Sequence, residues 1–340
     1  MRAAVLHEYK QPLKIEEVAR PECGADEVLI RVEGCGVCHS DLHLADGGWP
    51  QLLSAVAVKK PLIMGHEVVG RVVEKGGDVS DVAVGERVGV AWIYWSCGQC
   101  RMCKEGLENL CSRQAITGVT VDGGFAEFMK AKASHVTRVP EAMTAEEAAP
   151  LFCAGLTVYR ASKRAGVRAG QRVAVFGVGG LGHLAVQIVR CLQAEVIAID
   201  VSEEKLELAR TLGAEHAVNA AAGDFAAQMK KIGGPHVALV TSGSKAAYDQ
   251  AFSSLRPDGT LGVIGLPGED LSFPAIVMVA REMRIVASSV GTRADLKELM
   301  ELAAGGKVKC RTEARPLGEI NEVFEEMRRG KILGRVVVSA

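Results

Sequence analysis

The chain has 340 residues, with 40 basic and 41 acidic side chains, so its formal charge is −1. Domains typically span about 100–200 residues, which favours two of them. A charge near zero gives no electrostatic basis for binding nucleic acid or an anionic membrane. The best apolar run, residues 173–182, is too short to span a membrane, and the N-terminus lacks a secretory signal. We expect a soluble, cytoplasmic protein with no nucleic-acid or membrane partner.

The first 150 residues contain short Val-rich runs that are bounded by Gly and Asp. These runs are EVLIRVEGCGV, HEVVGRVVEKGG and GERVGVAWIYW. β-Branched residues between turn formers are typical of strands. The pattern therefore predicts a mostly-β domain in this part of the chain.

From about residue 170, short apolar strands alternate with segments of helical spacing. The predicted strands are QRVAVFGV, EVIAID, HVALVTSG, TLGVIG and MRIVASS, and the helix SEEKLELARTLG has Ser202 as its N-cap. This alternation indicates an α/β domain whose parallel sheet is covered on both faces. Two more helices and a Val-rich strand follow, and we expect that last strand to return to the first domain.

Ten cysteines occur in a chain that has no secretory signal, where thiols stay reduced and clusters more often bind metal. Four of them follow the spacing C-x2-C-x2-C-x7-C: Cys97, Cys100, Cys103 and Cys111. Four thiolates on short loops suit tetrahedral zinc and leave no open coordination position. The spacing predicts a structural zinc site, with an iron–sulfur cluster or four reduced thiols as the alternatives.

The motif GVGGLG follows the apolar run RVAVF and opens a helical segment. Gly177 allows a tight turn, Gly179 a close approach of a pyrophosphate, and Gly182 close helix packing. Asp200 ends the next predicted strand, where a carboxylate binds ribose hydroxyls and repels a 2′-phosphate. The motif therefore predicts a dinucleotide site that prefers NAD to NADP.

The whole chain resembles the zinc-dependent medium-chain alcohol dehydrogenases, in their microbial, tetrameric-type branch. The resemblance rests on GVCHSDLH, GHEVVG, the four-cysteine cluster, APLFCAG, GVGGLG and GRVVV, in that order. It implies a GroES-like, mostly-β catalytic domain at residues 1–153 and 291–340 and a Rossmann coenzyme domain at residues 154–290. It also implies reversible hydride transfer from a primary or secondary alcohol to NAD, which gives an aldehyde or ketone, and two Zn²⁺ ions per subunit.

The resemblance implies a second, catalytic zinc site that spacing alone does not join. The positions that match its ligands are Cys38, His66 and Cys153. Glu67 matches an alternative ligand, and Asp41 matches the acid that orients the zinc histidine. Taken singly, each of the three ligand positions is a weak signal, with ordinary packing as the alternative. For Glu67 and Asp41 the alternative is local surface or turn polarity.

The resemblance also places residues for proton transfer and for the substrate pocket. Ser40 matches the residue that hydrogen-bonds the substrate oxygen, and His43 matches the histidine that passes the proton towards solvent. Trp49 and Trp92 fall at pocket walls, and Trp95 lies just before the four-cysteine cluster. Ordinary packing is the alternative role for each tryptophan.

Further coenzyme contacts follow from the same resemblance. The matching positions are His39 and Arg335 for the pyrophosphate, Thr157 and Leu181 for the nicotinamide, Lys205 for the ribose, and Gly180 within the turn. For Thr157 and Leu181 the alternative is core packing, and for Lys205 it is a solvated helix lysine.

Three other functions remain open at this stage. A polyol dehydrogenase is disfavoured because such relatives usually carry Glu where Cys153 stands, and a zinc-free or zinc-dependent reductase of the same superfamily is a further alternative. A non-catalytic zinc- and nucleotide-binding protein would keep the scaffold without turnover. The chain lacks room for the large insertion of longer animal relatives, which favours a homotetramer by analogy.

Overall fold

The computed structural model describes residues 1–48 and 56–340. The chain forms two compact units, of which the first is Met1–Cys153, Thr292–Ala304 and Cys310–Ala340, and the second is Ala154–Gly291 and Gly305–Lys309. The strands, in chain order, are β1 (Arg2–Leu6), β2 (Lys14–Glu17), β3 (Glu27–Val37), β4 (Leu62–Ile63), β5 (Glu67–Lys75), β6 (Arg87–Val90), β7 (Ile93–Trp95), β8 (Ala115–Ile116), β9 (Phe128–Lys132), β10 (Val136–Arg138), β11 (Arg172–Phe176), β12 (Glu195–Asp200), β13 (His216–Asn219), β14 (Val237–Val240), β15 (Thr260–Val263), β16 (Arg284–Ala287), β17 (Thr312–Pro316) and β18 (Arg335–Ser339).

Both units contain helices. Those of the first unit are His39–Ala45, Arg101–Lys104, Ala145–Ala148, Arg293–Ala304 and Ile320–Arg328, with short 3₁₀ turns at Glu108–Leu110, Ala133–His135, Ala149–Phe152 and Leu317–Glu319. Those of the second unit are Ala154–Arg164, Gly182–Cys191, Glu203–Thr211, Phe225–Ile232, Lys245–Ser254 and Ala275–Ala280. Among the described residues, no helix is both long and apolar enough to cross a membrane.

The first unit is built on one large sheet in the order β10-β6-β5-β3-β18-β17, with β9 also paired to β3. β3 is buried along most of its length, although Arg31 is exposed and Glu33 is half-buried, because other strands pair with it on both sides. β18 pairs antiparallel with β3, Val337 opposite Gly36, so the final strand returns to the first unit as predicted.

The second unit contains a six-stranded parallel sheet in the order β13-β12-β11-β14-β15-β16. Its central strands are short apolar runs that are buried on both faces, which agrees with the predicted α/β class. Ser202 caps the helix Glu203–Thr211, since its hydroxyl accepts the N–H of Lys205. The core on one face includes Phe176, Ile199 and Tyr248.

The sequence pattern missed several elements that carry little apolar periodicity. GERVGVAWIYW is read as one strand, but β6 ends at Val90 and β7 pairs with β8 in a separate two-stranded sheet. β13 and the helix Phe225–Ile232 were not predicted, because β13 is a short strand at the sheet edge and the helix buries only Met229.

Candidate active site

Antiparallel pairing brings Cys38 and His66 to one end of the large sheet. Cys38 follows β3 and is the N-cap of the helix His39–Ala45, and His66 directly precedes β5. β3 and β5 are neighbours, with Gly36 opposite Glu67. The residue that leaves one strand therefore lies beside the residue that enters the other.

Cys153 joins this pair from a third element, the 3₁₀ turn Ala149–Phe152, which it ends. One possible ligand atom from each of Cys38, His66, Glu67 and Cys153 lies within 4.8 Å of the others, and all four residues are buried. The Sγ atoms of Cys38 and Cys153 are 3.9 Å apart. Two sulfur ligands of one tetrahedral zinc are separated by about 3.8 Å, so the spacing fits.

His66 provides a second test of fit for a metal. Its Nε2 is buried and has no hydrogen-bond partner among the described residues, although it faces two thiols. A buried polar atom without a partner requires an explanation, and imidazole with thiolates is the donor set that zinc prefers. The residues present therefore fit zinc.

Asp41 contacts two of these residues at once. Its Oδ1 lies 3.1 Å from Nδ1 of His66, and its Oδ2 accepts the backbone N–H of Cys38 at 2.9 Å. Both side chains are almost fully buried, so water cannot replace either contact. The carboxylate holds His66 with Nδ1 protonated and Nε2 free to bind a metal.

The buried charges of the site shift one another's protonation. A hydrogen bond from Cys153 and the positive charge of Arg335 hold the pKa of Cys38 well below its usual range, whereas the pKa of Cys153 is raised well above it. Burial acts to lower the pKa of His66, but the Asp41 carboxylate and the Cys38 thiolate outweigh it and raise that pKa. The arrangement therefore favours a thiolate at Cys38 beside a protonated His66, and zinc would take the place of the Nε2 proton.

Glu67 forms a buried ion pair with Arg335, which begins β18. Burial raises the pKa of Glu67 to about 7, with the Arg335 guanidinium acting in the opposite direction. Breaking such a pair leaves an uncompensated buried charge, so each residue fixes the other. Arg335, which we predicted to contact a pyrophosphate, therefore has Glu67 as its partner here.

The helix His39–Ala45 carries the residues that we predicted for proton transfer and coenzyme binding. Ser40 Oγ lies 3.6 Å from Cys38 Sγ, next to the cluster. His43 is half-buried, and burial lowers its pKa against the charges of Cys38 and Asp46. His39 is exposed, and its ring centroid is 6.5 Å from that of His43.

The three tryptophans are placed differently. The Trp92 ring meets His66 edge-on, with centroids 4.8 Å apart and planes at 89°. Trp95 lies in β7 opposite Ala115 and packs against the core of the first unit. Trp49 lies outside the described residues. Of the two tryptophans in the described part of the chain, Trp92 is the one that contacts His66.

The other four cysteines converge as their spacing predicts. Their Sγ atoms lie within 4.8 Å of one another, with pairs at 3.5 Å (Cys100–Cys103), 3.6 Å (Cys97–Cys111) and 3.9 Å (Cys97–Cys103). These distances match the roughly 3.8 Å expected on tetrahedral zinc. Backbone N–H groups of Gln99 and Cys100 lower the pKa of Cys97 to about 5, so the loop favours a thiolate there. The cluster fits a structural zinc.

Two buried polar contacts that the sequence did not reveal hold this loop to the first unit. His135 Nε2 accepts the N–H of Ser96, which precedes Cys97, at 3.0 Å. Glu108, just before Cys111, accepts the N–H of Arg293 at 2.8 Å. No sequence motif marks these residues, because each pair joins distant segments.

In the second unit, the glycine turn lies between β11 and the helix Gly182–Cys191. Gly177 has φ of +90°, which disfavours other residues, and a Cβ on Gly179 would meet no atom within 4 Å. Asp200 ends β12 and its Oδ2 accepts the N–H of Val178 at 2.7 Å. An open turn beside a carboxylate is the arrangement that fits a dinucleotide.

The remaining predicted coenzyme residues lie on helices of the same unit. Leu181 is the N-cap of Gly182–Cys191, Gly180 precedes it, Thr157 is half-buried in Ala154–Arg164, and Lys205 is half-buried in Glu203–Thr211. Sequence reasoning missed Thr241 and His183, whose side chains hydrogen-bond the carbonyls of Gly177 and Gly179. Thr241 follows β14, a neighbour of β11, which is the signal that could have pointed to it.

Family models match both units. An alcohol dehydrogenase GroES-like domain covers residues 24–141, and a zinc-binding dehydrogenase domain covers residues 180–305. An alcohol dehydrogenase of Geobacillus stearothermophilus is 47% identical over 339 residues, which is 99% of each chain. The chain belongs to the zinc-type medium-chain alcohol dehydrogenase family.

Other similar proteins align with this chain over nearly their full length. An alcohol dehydrogenase of Moraxella sp. is 46% identical over 99% of both chains. The crystal structure of the alcohol dehydrogenase of Aeropyrum pernix, a hyperthermophilic archaeon, covers all of both chains at 40% identity with a TM-score of 0.91. An acetophenone reductase of Geotrichum candidum, solved in complex with NAD, is 29% identical over 100% of this chain and 97% of its own, with a TM-score of 0.89.

Proposed function

We propose that this family member oxidises a primary or secondary alcohol to an aldehyde or ketone, reversibly, with zinc and NAD. The observation that carries the proposal is the buried His66 Nε2, which has no partner among the described residues and faces the thiols of Cys38 and Cys153. Three protein ligands and one open position are the pattern of catalytic zinc. The printed names of the relatives, alcohol dehydrogenases at 46–47% identity, support the substrate class.

Zinc at this site would supply Lewis acidity towards the alcohol oxygen. The chain's own residues do the rest. Asp41 fixes the ring of His66, and Ser40 Oγ, next to Cys38, would accept a hydrogen bond from the alcohol hydroxyl. His43 lies in the last turn of the same helix, and burial lowers its pKa, so it would be neutral and able to take up the proton that leaves the site.

The glycine turn and Asp200 would bind NAD. The turn N–H groups and the N-terminus of the helix Gly182–Cys191 suit the diphosphate, and Asp200 suits the ribose hydroxyls. His39 and Arg335 would add positive charge, Thr157 and Leu181 would contact the nicotinamide, and Lys205 the ribose. NAD in the Geotrichum candidum relative supports this coenzyme. We accordingly assign residues 1–153 and 291–340 to the catalytic domain and 154–290 to the coenzyme domain.

A second zinc ion per chain would be structural, held by Cys97, Cys100, Cys103 and Cys111. The sulfur spacing supports it, and four sulfur ligands leave no position for substrate. We also propose a cytoplasmic location, because cysteine clusters that suit zinc are typical of reducing compartments. Trp92, against His66, would form a wall of the substrate pocket. We propose that Trp49 and Trp95 also belong to the substrate pocket.

We also propose a homotetramer. β16 is an edge strand of the parallel sheet with mostly exposed residues, and the preceding helix exposes 75% of both Ile276 and Val279. Exposed apolar side chains beside an unpaired strand edge favour pairing with a second copy. Sedimentation velocity of the wild type and of Ile276→Glu tests this, and a wild-type monomer or dimer would contradict it.

The function itself is tested with purified, zinc-loaded protein, NAD and a panel of primary, secondary and aromatic alcohols, by following NADH absorbance at 340 nm. We expect turnover with at least one simple alcohol and weak or no activity with polyols. Activity confined to polyols would favour the polyol dehydrogenase alternative. NAD binding with no turnover across the panel would favour a non-catalytic zinc- and nucleotide-binding protein.

A further inference from the structure

The peptide unit between Gly177 and Val178 is hydrogen-bonded by side chains at both of its ends. Thr241 Oγ1 donates to the carbonyl of Gly177 at 2.6 Å, and Asp200 Oδ2 accepts the N–H of Val178 at 2.7 Å. Because a peptide unit is planar, its C=O and N–H point in opposite directions. Two partners on opposite sides therefore fix the rotation of the whole unit.

Sheet topology places the two partners. β11 is flanked by β12 and β14 in parallel register, with Phe176 opposite Ile199 and Val240. Asp200 and Thr241 each come directly after those partners, so they lie on either side of the turn. The N–H of Thr241 also donates to the carbonyl of Phe176 at 2.9 Å, which holds its backbone in place.

The Gly177 carbonyl is confined from a third direction. A Cβ on Gly182 would lie 1.7 Å from this oxygen and 3.1 Å from Thr241 Oγ1. The carbonyl therefore sits against the first residue of the helix Gly182–Cys191, and Gly182 is required there for this reason.

His183 hydrogen-bonds the peptide unit between Gly179 and Gly180. Its side chain is fully buried, and Nδ1 lies 2.9 Å from the carbonyl of Gly179, which also accepts the N–H of His183 at 3.1 Å. With that carbonyl held inside, the N–H of Gly180 in the same peptide plane points the other way. N–H groups that point outward at a helix N-terminus are the donors a diphosphate needs.

We infer that Thr241 and His183 are positioning residues for the coenzyme, which hold the Gly177 and Gly179 carbonyls so that the turn is already shaped for a dinucleotide diphosphate. The inference rests on the proposed use of NAD. Preorganisation of this kind lowers the cost of ordering the turn on binding, so it affects affinity for the coenzyme and not the chemical step.

The experiment compares Thr241→Val, which is nearly isosteric but lacks the hydroxyl, with Thr241→Ser, which retains it. Thr260→Val is the control, because Thr260 begins β15 and so lies at the amino end of a strand, whereas Thr241 follows the carboxyl end of β14 beside the turn. We expect Thr241→Val to raise the Kd and KM for NAD about 3- to 10-fold, with kcat at saturating NAD near the wild-type value. Thr241→Ser and Thr260→Val should both bind NAD like the wild type.

Amide hydrogen exchange in the coenzyme-free protein provides a second measurement, and Thr241→Ala replaces the valine variant if that variant does not fold. Faster exchange at Val178 in Thr241→Val or Thr241→Ala, but not in Thr241→Ser or Thr260→Val, supports the inference. Unchanged NAD affinity in Thr241→Val would overturn this inference but not the proposed function. An equal loss of NAD affinity in Thr260→Val would have the same consequence. A wild-type chain that binds zinc but no NAD would overturn the proposed function and this inference together.

Discussion

Asp41 Oδ1 lies 3.1 Å from Nδ1 of the buried His66, while the other oxygen of the same carboxylate accepts the N–H of Cys38. One short acidic side chain thus orients two proposed zinc ligands that adjoin different strands, Cys38 after β3 and His66 before β5. Both of its partners are donors, so the arrangement needs two acceptor oxygens at this position.

Asp41→Asn should therefore weaken zinc binding at the Cys38–His66–Cys153 site. Asparagine offers one acceptor and one NH₂ group, so either His66 Nδ1–H or Cys38 N–H meets another donor. We expect zinc affinity to fall about 10- to 100-fold. Competition with a chromophoric chelator measures this directly. Asp46→Asn, at the exposed end of the same helix, is the control, and equal zinc affinity in both variants would contradict the role of Asp41.

Cys103→Ser should remove the structural metal and leave the catalytic one. We expect zinc content to fall from two ions to one per chain, and the free energy of unfolding to fall by about 4 kcal/mol or more, because the loop loses its metal. Elemental analysis and chemical denaturation measure the two effects. Cys310→Ser is the control, since Cys310 belongs to neither cluster. Retention of both ions in Cys103→Ser would exclude the four-sulfur site.

Asp200→Gly should shift the coenzyme preference towards NADP. Removing the carboxylate removes its repulsion of a 2′-phosphate, so the NADP/NAD ratio of kcat/KM should rise about tenfold or more. Asp200 also accepts the N–H groups of Val178, Val201 and Ser202, so we expect a loss of about 1–3 kcal/mol of stability as well.

Asp249→Gly removes an exposed carboxylate from the same unit and serves as the control. It should leave the coenzyme ratio unchanged. If the ratio in Asp200→Gly also stays at the wild-type value, Asp200 holds the turn but does not discriminate the ribose.

His135 should make stability depend on acid pH. Burial lowers its pKa from 6.5 to about 4, and the positive charge of Arg293 acts in the same direction. The neutral ring accepts the N–H of Ser96. Between these values the unfolded chain binds a proton that the folded chain does not, so the free energy of unfolding falls as pH drops from about 6.5 towards about 4. The full contribution is on the order of 3 kcal/mol.

His135→Gln retains a neutral acceptor but does not titrate. Urea denaturation at several pH values should therefore show a shallower acid decline in this variant than in the wild type. Parallel pH profiles for the two proteins would show that the imidazole is not held neutral in the folded state.

The sequence predicted what local patterns encode. GVGGLG, the C-x2-C-x2-C-x7-C spacing and the strand–helix alternation each depend on residues that are close in sequence, and the structure contains all three. Cys38, His66 and Cys153 could be joined only through the family resemblance, because the pairing of β3 with β5 and the turn before Cys153 bring them together. The contact of His135 with Ser96 depends on tertiary packing and leaves no pattern in the sequence, whereas Thr241 can be located only from its place after β14, next to β11.

The most direct test of the account is a comparison of the zinc-loaded wild type with Cys38→Ser, in which zinc content and NADH formation from the best alcohol of the panel are measured on the same samples. The catalytic site predicts that Cys38→Ser retains its fold and its structural zinc, loses about one zinc per chain and loses turnover at 340 nm. Full activity in a Cys38→Ser chain with that lower zinc content would contradict the assignment of Cys38, His66 and Cys153 as the catalytic zinc site.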